Sequence, residues 1–232
     1  MARRVAIVQS NYIPWKGYFD LIGSVDEFVL YDDVQFTKND WRNRNRIKTQ
    51  RGVEWLSVPV GQCISRRVRD VKLNDDRWQR QHWSKLQTNY SRARCFRSCE
   101  EWLRPLYLER PYRTLSELNR ALIEAICGRL GITTRLHWSW DFETGAGKTS
   151  RLVDLCMQLR ADEYVSGPAA RNYLDTECFS RQGIAVTWFD YSGYPEYPQL
   201  WGDFDHSVSI LDLMFNVGND ALNFMKSNHK TP

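Results

Sequence analysis

The sequence predicts an α/β protein, a parallel-type sheet core flanked by helices with a helical insertion in the middle of the chain. Three observations predict it. Val5–Val8 is a short apolar run of the kind buried on both faces of a central strand. It leads through a polar, aromatic loop into the helical spacing of Phe19, Leu21 and Ile22, and Glu27–Tyr31 (EFVLY) then reads as a second strand. Strand, loop, helix and strand in that order open a parallel unit. Between roughly 77 and 130, finally, the pattern is helical throughout.

Each later element has its own signal. Val53–Val60 alternates as a strand and can pair with Ile47–Lys48 across Gln50-Arg51-Gly52. Trp83, Leu86 and Tyr90 share one side of a helix over Trp78–Tyr90. Leu118, Leu122, Ile126 and Leu130 recur at i+4 in a helix over Leu115–Leu130, which Gly131 closes. Leu152, Leu155 and Cys156 point inward from a helix over Thr149–Leu159. Glu163–Val165 and Ile184–Phe189 read as further strands, with helices near Leu174–Phe179 and Ser209–Phe215. No repeat or linker interrupts the 232 residues, so one domain over 1–232 is expected.

Composition narrows the function classes. Hydrophobic content of 42% and charged content of 26% exclude disorder as the main state. A net charge of +4 is too mild to argue for nucleic acid. No apolar run reaches the roughly 18 residues of a membrane span, and Val5–Val8 is too short for a secretion signal. With six scattered cysteines and no C-x-x-C pair, reduced thiols in the cytoplasm are expected. Ten Trp, eleven Tyr and ten Phe are a heavy aromatic load, suited to lining a polar cleft and also to a homodimer interface.

Several motifs carry chemistry. Gly147-Lys148-Thr149-Ser150 lacks the P-loop's first glycine, since Phe142 stands there, and reads better as a helix start capped near Thr149 or Ser150. The histidines His82, His137, His206 and His229 have no metal-ligand spacing, so neither metal nor cofactor is implied. His82, beside Lys85 on a helix, is a candidate catalytic group. Asp32 lies at a strand's carboxyl end next to Asp33, whose charge would raise one of the two pKa values, and is the candidate general base. Lys38, Arg44 and Lys48 would neutralise phosphate or a developing oxyanion. Trp41, interleaved with these cations, can stack on a base, and Gln35, Asn39 and Asn43 beside it suit sugar or nucleotide hydroxyls. Gln9, Tyr12, Trp15, Gly17 and Tyr18 would shape an acceptor pocket. Ser166, Gly167, Arg171 and Tyr173 would form its far wall, with Gln199 joining the binding set.

Four ordered blocks carry a family resemblance: VAIVQSNYIPWKGYFDLI (5–22); YDDVQFTKNDWRNRNRIK with WLSVPV (31–48, 55–60); GKTSRL with YVSGPAARNYLD (147–152, 164–175); and YPQLWGDF with SILDLMFNVG (197–204, 209–218). Together they resemble the WbqC-like family of bacterial proteins, with Ser10 where that family usually has proline. The resemblance implies a role in surface-polysaccharide (O-antigen) or related biosynthesis, as a transferase for an activated sugar or similar small molecule. Pro14, Lys16 and Gly17 also look faintly like a nucleotidyltransferase loop. ATP-dependent ligation, with Lys16 and Lys148 on phosphates, is therefore the second reading. A non-catalytic carbohydrate- or nucleotide-binding module is the third.

Overall fold

The computed structural model describes residues 2–63 and 65–226, so His229 lies outside the described residues. Five strands form one sheet: β1 (Arg4–Val8), β2 (Glu27–Leu30), β5 (Arg135–Trp138), β6 (Glu163–Ser166) and β7 (Ala185–Trp188). All four pairings are parallel, in the order β5-β2-β1-β6-β7. Val5 aligns with Glu27 and Val8 with Leu30, while Arg4 aligns with Glu163 on the other side. From β1 the chain works outward through β2 to β5, then returns to add β6 and β7 on the opposite flank. The order therefore reverses between β1 and β6.

Alternation along β1 explains the two layers, because successive side chains leave opposite faces of a strand. Ala6, with Phe28 and Leu30 of β2, packs into the larger core, beneath α1 (Lys16–Gly23), α2 (Arg77–Tyr90), α3 (Phe96–Leu108), α4 (Leu115–Arg129) and α7 (Ile210–Val217). Val5, Ile7 and Val29 pack on the other face against Val153, Leu155 and Cys156 of α5 (Lys148–Gln158) and Phe179 of α6 (Thr176–Ser180). The molecule is α/β with a parallel sheet flanked by helices, and α2, α3 and α4 follow one another between β2 and β5.

An antiparallel hairpin, β3 (Arg44–Thr49) and β4 (Gly52–Ser57), stands apart from the sheet. Its register places Arg46 opposite Trp55 and Thr49 opposite Gly52, whose φ of +106° suits only glycine. Asn45, Ile47 and Leu56 face inward, whereas Trp55 is 40% exposed. The capping box of α4 sits where the sequence breaks polarity: Thr114 accepts from Glu117 N, and the Glu117 side chain accepts from Thr114 N.

Two sequence expectations need correction. β5 is an addition to the expected strands: RLHW alternates, with Leu136 and Trp138 packed toward the core, but four half-exposed edge residues with two apolar positions are too short a signal. Helix α5 starts one residue earlier, at Lys148, after Gly147 with φ +111°. Neither Thr149 nor Ser150 caps it, since the Ser150 hydroxyl donates back to Ala146 O at 2.6 Å.

Candidate functional site

In open parallel sheets, ligands collect outside the carboxyl ends of the strands where the strand order reverses. Here that point lies between Gln9, just past β1, and Gly167, just past β6. Beside it, Asn11, Pro14 and Trp15 of the first loop, Trp41 and Asn45 of the hairpin region, and Ser207 line a cleft of about 250 Å³. The local chain is built around this cleft. A Cβ on Gly17 would lie 2.3 Å from the Trp15 ring, so only glycine lets the indole lie flat over the start of α1. From there Trp15 packs on Tyr191 and Tyr194, with ring centroids 5.4 and 5.5 Å away. Asn45 donates to the carbonyls of Tyr12 (3.0 Å) and Ile13 (2.9 Å). Those bonds hold Ile13 at φ +38°, a region a β-branched residue enters only when its surroundings compel it.

On the cleft's outer side the hairpin presents aromatic and cationic groups together. Trp41, 39% exposed, sits against Trp55 with centroids 5.4 Å apart. The Arg44 guanidinium lies 4.1 Å over Trp55, and Arg46 lies near both rings while donating to Ser207 O at 2.9 Å. Arg42 reaches back toward β1, donating to the amide oxygens of Gln9 and of Asn11 (3.3 Å).

Beneath the cleft, the polar groups are sequestered. Asp32 is fully buried and accepts from Ser10 N (2.8 Å), Ser10 Oγ (2.6 Å) and Ser116 Oγ (2.6 Å). Burial raises its pKa, and the two serines pull the other way. Asp33 does not face it: that carboxylate takes Ser139 Oγ at 2.5 Å and the Arg151 guanidinium. The expected carboxylate–carboxylate coupling is thus replaced by desolvation, and Asp32 serves to pin the loop after β1. His82 is likewise buried, its Nδ1 2.8 Å from the Tyr12 hydroxyl, which in turn meets Tyr107 Oη at 2.6 Å. Burial lowers the imidazole to about pKa 4, so it is neutral at pH 7. Lys16 is buried too; its ammonium donates to Pro195 O at 2.8 Å between the rings of Tyr194 and Tyr197, and desolvation lowers it to about 8.

The WbqC-like protein family model matches residues 9–224, from the loop after β1 to the end of the described chain's last turn. The chain belongs to the WbqC-like family. An uncharacterized protein of Mycobacterium tuberculosis, Rv1507c, is 55% identical over 227 residues, covering 97% of this chain and 98% of the relative. No solved structure matches the chain.

In this WbqC-like chain, the structure gathers some of the expected site residues and separates others. Trp15 and Trp41 line the cleft, Gly17 seats Trp15, and Gln9 holds Arg42 while its carbonyl accepts from the Tyr18 hydroxyl at 3.1 Å. Arg44 stacks on the cleft's outer wall. Tyr12 and Asn43 are buried supports, Asn43 donating to Val58 O at 3.1 Å. Lys48 is buried and donates to Asp203 O, not toward the cleft. Lys38 pairs with the Gln62 side chain; Gln35 and Asn39 are exposed, the latter at φ +57°. Ser166 is buried at the end of β6 and Gly167 lies under Tyr191. The far wall is built differently from the sequence expectation. Arg171 lies over Trp188, Tyr173 is 69% exposed, and Gln199 bonds Tyr197 and Asp205; it is Tyr191 and Tyr194 that face Trp15.

Sequence reasoning passed over Asn11, Asn45 and Ser207 as site residues, and Arg42 enters it only as one cation of the basic stretch around Trp41. A signal existed for Asn45: it comes two residues after Asn43, at the start of β3, where an extended chain turns alternate side chains to the same side. None existed for Ser207, which is brought in by a long irregular segment. Among the described residues no group of three His, Cys, Asp or Glu side chains is placed to hold a metal. No described helix is long and apolar enough to cross a membrane.

Proposed function

We propose that this protein binds an activated, sugar-sized small molecule at the carboxyl end of β1 and transfers a group to or from it, in surface-polysaccharide or related biosynthesis. The observation that supports this most is the cleft itself. At the strand-order reversal it combines two indoles (Trp15, Trp41), two carboxamides (Asn11, Asn45) and a hydroxyl (Ser207). Flat rings pack on the apolar face of a pyranose, and amides and hydroxyls satisfy its OH groups. The hairpin's Trp41, Trp55, Arg44 and Arg46 offer the neighbouring stack and cations that a nucleotide leaving group requires.

The burial of Asp32 and His82 favours one second reading, a binding module that presents such a molecule to another enzyme. Neither side chain reaches the cleft to move a proton. Titration calorimetry with UDP-glucose, GDP-mannose and dTDP-glucose tests the shared binding claim. Losing one stacked ring removes roughly 1–3 kcal/mol, so Trp41→Ala is expected to weaken the responding ligand about 10-fold or more. Equal affinity in the variant would contradict the assignment. Product formation with an added acceptor would separate the transferase from the module.

A further inference from the structure

We propose that Arg42 is the anchor for a carboxylate on the molecule that enters the cleft. This rests on the reading of the cleft as the binding site and specifies the ligand's chemistry. Arg42 follows Trp41 directly, and its main chain is fixed where its carbonyl accepts from Asn119 Nδ2 at 3.0 Å. The guanidinium side chain is only 20% exposed. Its hydrogen-bond acceptors are neutral: Asn11 Oδ1, itself part of the cleft lining, and Gln9 Oε1 at the end of β1. Its Nε is buried without a partner. Asp40 pairs with it at 3.5 Å, and the same carboxylate also accepts from Thr37 Oγ1 (2.8 Å) and Trp41 N (2.7 Å).

A half-buried guanidinium that is hydrogen-bonded to two neutral amides, with Nε unpartnered and one carboxylate at 3.5 Å, keeps donors for a further oxyanion. Its planar fork matches an oxyanion bidentately, and both amides are carried on a loop and can rotate away. The ligand's oxygens would take the places that Gln9 and Asn11 occupy now. Charge selects among oxyanions. Arg42 already lies beside Asp40 and close enough to buried Asp32 to favour its charged form. A dianionic phosphate would add two negative charges beside those carboxylates, whereas a monoanionic carboxylate adds only one. Size agrees, since about 250 Å³ is below the range of pockets for drug-sized ligands and suits a single sugar- or amino-acid-sized unit.

Calorimetric titrations with D-glucuronate, L-alanine, D-glucose and D-glucose 1-phosphate test this on the wild-type chain and on Arg42→Gln, Arg42→Lys and Trp41→Ala, each first checked by urea unfolding. At least one carboxylate is expected to bind, with glucose and glucose 1-phosphate about 10-fold weaker or more. Arg42→Gln should weaken the carboxylate about 10-fold or more, and Arg42→Lys, which keeps the charge but not the fork, should recover only part of that. Glucuronate binding identifies a sugar acid, alanine binding an amino acid. No response to either carboxylate, an equal response to glucose or glucose 1-phosphate, or indifference to Arg42→Gln overturns the proposal. Sugar binding that depends on Trp41 but not Arg42 would leave the proposed function standing while the anchor falls. Alanine binding that depends on Arg42 but not Trp41 would do the reverse.

Discussion

His82 shows how burial converts a chemically suggestive residue into a structural one. It lies between Trp78 and Tyr12, close to both rings, and its proton affinity is low because an imidazolium there would lose its water. The stability consequence has a definite sign. In the unfolded chain His82 takes up a proton as pH falls through 6.5, while the folded chain resists until about 4. Stability is therefore lost on acidification across that window, by about 2 kcal/mol between pH 7 and pH 5. Urea unfolding at the two pH values should show this loss, and His82→Gln should reduce it; an unchanged pH dependence would place the acid-sensitive group elsewhere. Asp32 carries the same lesson. Its position past a strand end is legible in the sequence, but its burial is imposed by Ser116, 84 positions away on α4. The local pattern contains nothing of that contact. Trp15 and Trp41 were legible because large aromatics among polar loop residues have few other uses, whereas Arg42 looked like any cation in a basic run.

At the scale of elements, α1 and the segment after β7 shape the cleft jointly. The start of α1 presents Gly17 to the Trp15 indole, so Gly17→Ala must displace that ring from Tyr191 and Tyr194. The helix itself tolerates alanine well, and the change is expected to leave unfolding near wild type while red-shifting tryptophan emission and weakening ligand binding about 10-fold. Wild-type fluorescence and affinity in that variant would mean that Trp15 has no such seat. Residues 189–209 contain no helix or strand, yet cations along their length fix their course. Lys16 binds Pro195 O, Lys48 binds Asp203 O, Arg46 binds Ser207 O, and Lys226 donates to Asp190 and Ser192. Lys48 and Gln199, expected to bind ligand, are engaged here by this segment. Both serve the segment that brings Ser207 to the cleft. α3 was legible only as part of a helical region. Phe96, Cys99, Leu103 and Tyr107 recur at helical spacing and are buried, but Pro105 interrupts the pattern near the helix end.

For the whole molecule, the parallel architecture follows from short apolar strands separated by helices, and the strand-order reversal marks the point where ligands gather in such sheets. That step needs the order β5-β2-β1-β6-β7, which no local pattern encodes. A second, more open cavity of about 500 Å³ lies among Leu73, Asp75, Asp76, Trp78 and Tyr112, around the start of α2. The central claim is that ligand binds at the reversal and not there. The most direct measurement is a two-dimensional ¹H–¹⁵N NMR titration with the nucleotide sugar or carboxylate that responds in calorimetry. It would follow the tryptophan indole and asparagine side-chain resonances. The indole signals of Trp15 and Trp41 and the amides of Asn11 and Asn45 should move together and saturably, while that of Trp78 stays still. Shifts centred on Trp78 and the backbone of residues 73–79, with Trp15 and Trp41 unmoved, would contradict the account.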